Sequence, residues 1–143
     1  MLYLKTYESF KVELPIMYHG TNYDFNKFDL NFFNFGSADG GWLGKGIYFT
    51  NDYNYAKSYA NEESGRVIKA KLSPKNPYLI NNYQYSIRAK KLMNDLGVSN
   101  SRDITNKLTK SGYDSVLLSY KDDFDEDFYE ICVFNLDIIE IVS

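Results

Sequence analysis

A chain of 143 residues with 44% hydrophobic and 24% charged side chains is long enough for one domain with its own apolar core, without disulfide or metal staples. Its single Cys excludes an internal disulfide and a cysteine-built zinc cage, and a net charge of -3 weighs against a protein that grips nucleic acid through its overall field. No apolar run reaches membrane-spanning length, and Met1 to Pro15 carries charges where a signal peptide has a greasy stretch, so the expectation is a cytosolic protein, in its own or a host's cytosol, with no membrane attachment.

In chain order, residues 1–15 read as a loosely patterned lead-in closed by Pro15. Ile16 to His19 is a short strand and Gly20-Thr21-Asn22 a turn, followed by an irregular aromatic loop from Asp24 to Phe35. Gly40, Gly41, Gly44 and Gly46 then free the backbone for close approach by another group. The aromatic and β-branched run Gly46 to Thr50 reads as a buried strand. Asn51 or Asp52 caps a helix whose Tyr53, Ala56, Tyr59 and Ala60 share one face.

Arg66 to Leu72 alternates as a half-buried strand, and Asn76 to Ile80 follows as another. Tyr85 to Leu96 and Ser101 to Ser111 are amphipathic helices, ended by Gly97 and Gly112, with Ser101 as N-cap of the second. Three strands close the chain: Tyr113 to Tyr120, then Phe128 to Phe134 after the acidic loop Asp122 to Asp127, and Ile138 to Val142. Strands and helices alternate without a βαβα rhythm, so the fold class is α+β, one domain over 1–143.

Several known motifs do not fit. A phosphate loop at Gly44-Lys45 needs glycine where Asp39 stands and Ser or Thr in place of Gly46; a dinucleotide loop needs glycine at Phe49; the acidic loop lacks the glycine of a calcium-binding hand. A hydrolase built on Cys132 and His19 is disfavoured because strand cysteines are usually inert packing. Glu130 is more informative. Alternation puts it on one strand face with Phe128, Cys132 and Phe134, and a carboxylate among apolar side chains needs partners or a ligand.

His19-Gly20-Thr21 on a first strand, Gly-Lys-Gly-Ile-Tyr-Phe at Gly44 to Phe49, Tyr59 on the following helix and a late Glu130 occur in the order found in the ADP-ribosyltransferases. From Met17 to Val142 the chain resembles their histidine–tyrosine–glutamate branch, which includes the poly(ADP-ribose) polymerases, and most of all the small transferase domains of phage and mobile-element polyvalent proteins. The resemblance implies two small packed β-sheets with flanking helices around an NAD-binding cleft. It implies NAD+ as co-substrate, no metal, and His19, Tyr48 and Glu130 as catalytic residues. His19 bonds the adenosine ribose, the Gly20 backbone bonds the nicotinamide carboxamide, and Tyr48 and Tyr59 sandwich the nicotinamide ring; Thr21, Gly46 and Phe49 join the cofactor-binding set. Glu130 bonds the 2′-hydroxyl of the nicotinamide ribose and stabilises its oxocarbenium-like charge.

Two departures stand out. Ala56 replaces a serine that in the family often holds the carboxamide, and Phe128 replaces the Glu or Gln of the arginine-modifying branch. The implied function is addition of a single ADP-ribose to a macromolecule, protein favoured over nucleic acid because of the acidic loop, in the manner of a phage or mobile-element effector with toxin-like action. NAD+ glycohydrolase activity and a non-catalytic NAD- or ADP-ribose-binding module are the alternatives, and the sequence leaves the oligomeric state open.

Overall fold

The structure, a computed structural model, describes residues 13–22, 42–60, 62, 63, 65–81 and 88–142. Most of the lead-in, the Asp24 to Phe35 stretch, Gly40, Gly41 and the expected helix start at Tyr85 lie outside these residues.

Seven strands form one hydrogen-bonded sheet: β1 (Met17–Thr21), β2 (Ile47–Thr50), β3 (Arg66–Leu72), β4 (Pro77–Asn81), β5 (Ser115–Lys121), β6 (Asp127–Val133) and β7 (Ile139–Val142), in the spatial order β4-β5-β6-β2-β1-β3-β7. The α+β fold class holds, and the two expected small sheets are the halves of one continuous hydrogen-bonded sheet that meet at a narrow seam. There the ladder between β1 and β2 registers at one position, Tyr18 opposite Thr50, whereas β1 pairs with β3 over five. β1 also runs further than its sequence suggests. Gly20 and Thr21 continue the strand opposite Val67 and Arg66, because pairing with β3 outweighs the turn propensity of Gly-Thr-Asn.

All neighbours are antiparallel except β4 and β5, which run parallel from Pro77 opposite Ser115 to Asn81 opposite Ser119. A parallel pair needs a long crossover. Helices α2 (Arg88–Leu96) and α3 (Ser101–Lys110) supply it, with α1 (Tyr53–Lys57) standing apart after β2. Gly97 (φ 69°) and Gly112 (φ 91°) take the left-handed conformation just past α2 and α3, where their backbones close the last turns: the N–H of Val98 reaches the Met93 carbonyl and that of Tyr113 the Leu108 carbonyl. The N-cap of α3 is Asn100, whose side chain accepts from Asp103 N–H, so Ser101 is instead the buried first residue of the helix.

The strict alternation of β6 distributes the core over both faces. Ile131 and Val133 join Met17, Ile47, Phe49, Ile68 and Ala70 on one side. Cys132 and Phe134 join Val116, Leu118 and Ile80 on the other, where Leu92 of α2 and Ile104 and Leu108 of α3 cover them.

Helix α1 is barely more than one turn. Asp52 caps it by accepting from Tyr55 N–H, and of the expected buried face only Ala56 is buried; Tyr53 and Tyr59 are exposed. The helix docks backbone-first on β1. A Cβ added to Gly20 falls 1.8 Å from the Ala56 carbonyl oxygen, so only glycine lets the two elements meet. Gly20→Ala is expected to lower stability by about 2 kcal/mol or more through overpacking. A Cβ at Gly97 would meet nothing nearer than Lys107 Nζ at 4.0 Å, so Gly97→Ala carries only the left-handed backbone penalty of about 1 kcal/mol. Urea unfolding of both variants checks the order; equal losses would mean that α1 can lift from β1 at little cost.

Candidate active site

Tyr48 stands opposite Cys132 and Thr50 opposite Glu130, so Tyr48 and Glu130 are diagonal neighbours on the same face of adjacent strands. Tyr48 is held by its hydroxyl. The phenol donates to the Gly44 carbonyl at 2.6 Å and accepts from Leu43 N–H at 2.8 Å. Burial, with the neighbouring Cys132 adding to it, raises the phenol well above its ordinary range, so it stays neutral. With its polar end committed to the loop, Tyr48 offers chemistry only through the face of its ring.

Glu130 is 4% exposed, and its Oε1 accepts from the indole N–H of Trp42 at 3.1 Å. Beside it, Cys132 is fully buried, donates to the Gly44 carbonyl at 3.6 Å, and is pushed by burial above the ordinary thiol range. A thiol held protonated in the core is no nucleophile.

His19 meets the site at the seam. Its Nδ1 lies 2.7 Å from the Tyr48 carbonyl oxygen. A carbonyl only accepts, so Nδ1 carries the proton and the neutral ring keeps Nε2 as an acceptor. Burial lowers the proton affinity of the ring, partly offset by the bond to Tyr48. The imidazole packs against Phe49, centroid to centroid 5.5 Å, on the other side of β2 from the Tyr48 ring. Tyr48 and Glu130 thus share one face directly, and His19 is tied to them through the Tyr48 main chain.

Gly20 follows at the point where β1 leaves β2. Continuing the register beyond Tyr18 and Thr50 would set Gly20 opposite Tyr48, but the ladder does not extend that far. Thr21, buried, ends β1. Tyr59, 62% exposed, projects from the end of α1 with its hydroxyl 3.0 Å from that of Tyr55. Tyr55 in turn meets Phe128 edge-on, and Phe128 packs on Tyr120, giving an aromatic border on the side of the acidic hairpin.

In the sequence Gly44 and Gly46 leave the backbone open to close approach by another group, and Phe49 belongs to the expected cofactor-binding set. The structure accounts for all three by the chain's own packing. Phe49 is a core residue. A Cβ on Gly46 would lie 2.5 Å from the Val133 carbonyl, and one on Gly44 2.8 Å from Thr105 Oγ1, with Gly44 also at φ 121°.

Other contacts escape sequence reading. Asn51, expected as a possible cap, instead donates to the Asp127 carbonyl and accepts from Tyr129 N–H, adding a side-chain rung between β2 and β6 just below Glu130. Trp42 carries no motif signal, and its link to Glu130 spans 88 positions. A groove of about 450 Å³ lies between α1 and the start of β3, lined by Tyr53, Asn54, Lys57 and Arg66. None of His19, Tyr48 and Glu130 lines it, and the helical spacing of α1 puts it on the far side from Tyr55 and Tyr59, so it is not this site.

A family model described as "ADP-Ribosyltransferase in polyvalent proteins" matches residues 12–139. No curated protein matches the chain.

The depressed proton affinity of His19 has a stability consequence with a definite sign. As pH falls through 6.5, the unfolded chain takes up this proton before the folded one, so the folded state loses stability. The stability advantage of wild type over His19→Gln is therefore expected to shrink between about pH 7.5 and about pH 5.5. Thermal melts across that range check it; an advantage that grew on acidification would reverse the assignment of a neutral buried ring.

Proposed function

The chain belongs to the family of ADP-ribosyltransferases in polyvalent proteins, and on that premise we propose that it transfers a single ADP-ribose from NAD+ to a protein acceptor. The observation that carries this reading is the pairing of Tyr48 and Glu130 on one face of β2 and β6 beside the point where β1 parts from β2. A ring whose hydroxyl is already committed suits stacking on a flat cation such as a pyridinium, a contact worth about 1–2 kcal/mol when desolvated. A carboxylate placed beside it suits the positive charge that grows on the ribose.

In the proposed reaction the bond between the ribose C1′ and the nicotinamide nitrogen breaks, and its electron pair leaves with nicotinamide. The acceptor nucleophile forms the new bond to C1′ and releases its proton. Glu130 bonds the ribose 2′-hydroxyl and stabilises the oxocarbenium-like sugar between the two events. Gly20 supplies backbone contacts for the carboxamide at the parting of the strands, Tyr59 covers the second face of the nicotinamide, and the Nε2 of His19 takes a hydroxyl of the adenosine ribose.

The acceptor class follows from charge. The hairpin between β5 and β6 leads straight into the strand of Glu130, and its tip exposes Asp122, Asp123, Asp125 and Glu126 around Phe124, itself 86% exposed. Such a tip repels phosphodiester backbone and favours a basic or neutral protein surface. Membership in a family of polyvalent proteins supports an effector carried by a phage or mobile element and acting on targets in a host cytosol.

Incubating the protein with adenine-labelled NAD+ and a cell lysate, then separating protein, nucleic acid and small molecules, tests this. Label is expected in the protein fraction. Label confined to nucleic acid would reverse the acceptor class, and label recovered only as free ADP-ribose would make the enzyme a glycohydrolase.

A further inference from the structure

Resting on the transferase reading, we propose that Trp42 is a positioning residue for the reaction: its indole N–H holds the Glu130 carboxylate in its working orientation, and Thr105 of α3 holds the loop that carries Trp42. The direct contact is the 3.1 Å bond from Trp42 Nε1 to Glu130 Oε1. An indole N–H only donates, so Oε1 is committed as an acceptor, and a bond to a carboxylate is among the stronger neutral-to-charged kinds. Glu130 sits on a rigid strand, but rotation of its side chain is set by what the carboxylate touches. The Trp42 bond restricts that rotation before any ligand arrives.

A positioning residue must itself be positioned, and the loop from Trp42 to Gly46 is tied down at every step. Thr105 Oγ1 accepts from Lys45 N–H at 2.7 Å and donates to the Lys45 carbonyl at 2.8 Å, clamping both polar groups of one residue. The left-handed Gly44 between them lets the loop press onto α3, since a side chain there would strike Thr105 and Ile104. Tyr48 hydroxyl and Cys132 thiol both donate to the Gly44 carbonyl from the sheet side. The Trp42 indole packs into the apolar cluster of α2 and α3. A connected path therefore runs from Thr105 through Lys45 and the loop to Trp42 and Glu130, and its two ends of support, Thr105 and Trp42, lie outside the motifs that mark the family in this sequence.

Trp42 is the one tryptophan of the chain, which makes the proposal measurable with and without substrate. Trp42→Phe keeps a ring and removes the donor. Replacing the tryptophan by benzothienylalanine keeps the fused ring system and removes only the N–H, so it serves wherever Trp42→Phe disturbs folding. Both are expected to lower kcat about 10-fold while leaving KM for NAD+ within about 2-fold, because a pre-set carboxylate acts mainly in the transition state. Thr105→Val, which cuts the clamp 60 positions from Lys45, is expected to lower kcat in the same sense. Without NAD+, Glu130→Gln is expected to shift the tryptophan emission, since the indole loses its charged acceptor.

Wild-type kcat retained in the benzothienylalanine protein, or emission indifferent to Glu130→Gln, would overturn the proposal while the transferase reading stands. A wild-type protein that releases no nicotinamide from NAD+ would overturn the transferase reading instead, with the emission experiment still deciding whether Trp42 holds Glu130.

Discussion

One hydrogen bond sets the geometry on which the rest depends: His19 Nδ1–H to the main-chain oxygen of Tyr48, 2.7 Å across the seam between β1 and β2. In a continued antiparallel ladder a backbone N–H would take that oxygen. Here an imidazole takes it, and the strands part beyond Tyr18 and Thr50. A part-buried carbonyl stripped of its ladder partner would otherwise carry part of the desolvation cost of an unmade bond. The histidine removes that cost at the point where the ladder between β1 and β2 ends, so one side chain closes the backbone's hydrogen-bond account across the seam.

The second constraint is rigidity around Tyr48 and Glu130. Each is fixed at its polar end, Tyr48 by the Gly44 carbonyl and Leu43 N–H, Glu130 by Trp42. Both sets of partners come from the five residues before β2, and those residues are pinned in turn to α3 through Thr105. The glycines of this loop thus serve the molecule's own close packing. In the proposed transfer, preorganisation of this kind spares the reorganisation of the charged group.

What the sequence made legible follows a physical division. Period-two alternation located the β6 face carrying Glu130 and Cys132, because a strand's side-chain direction depends on parity alone. Gly97 and Gly112 ended their helices as read, because left-handed closure is a local requirement. Three ordered motifs identified the family that matches residues 12–139. Non-local effects stayed hidden. Gly20 and Thr21 look like a turn until β3 pairs with them. Tyr53 and Tyr59 suggested a buried helical face, yet α1 meets β1 through its backbone at Gly20, Tyr53 only leans edge-on against Tyr18 while half-exposed, and Tyr59 stands in solvent. A single registered position joins the two halves of the sheet. Trp42 and Thr105 act over 88 and 60 positions, distances at which local periodicity carries no information.

The central claim is that the Glu130 charge acts on the transition state of glycosidic cleavage and contributes little to holding NAD+. The direct measurement compares wild type with Glu130→Gln, taking NAD+ affinity by calorimetry and nicotinamide release by chromatography on the same preparations. The account predicts a dissociation constant within about 3-fold of wild type and a turnover lower by about 10²-fold or more. Equal turnover, or a loss confined to affinity, would contradict it.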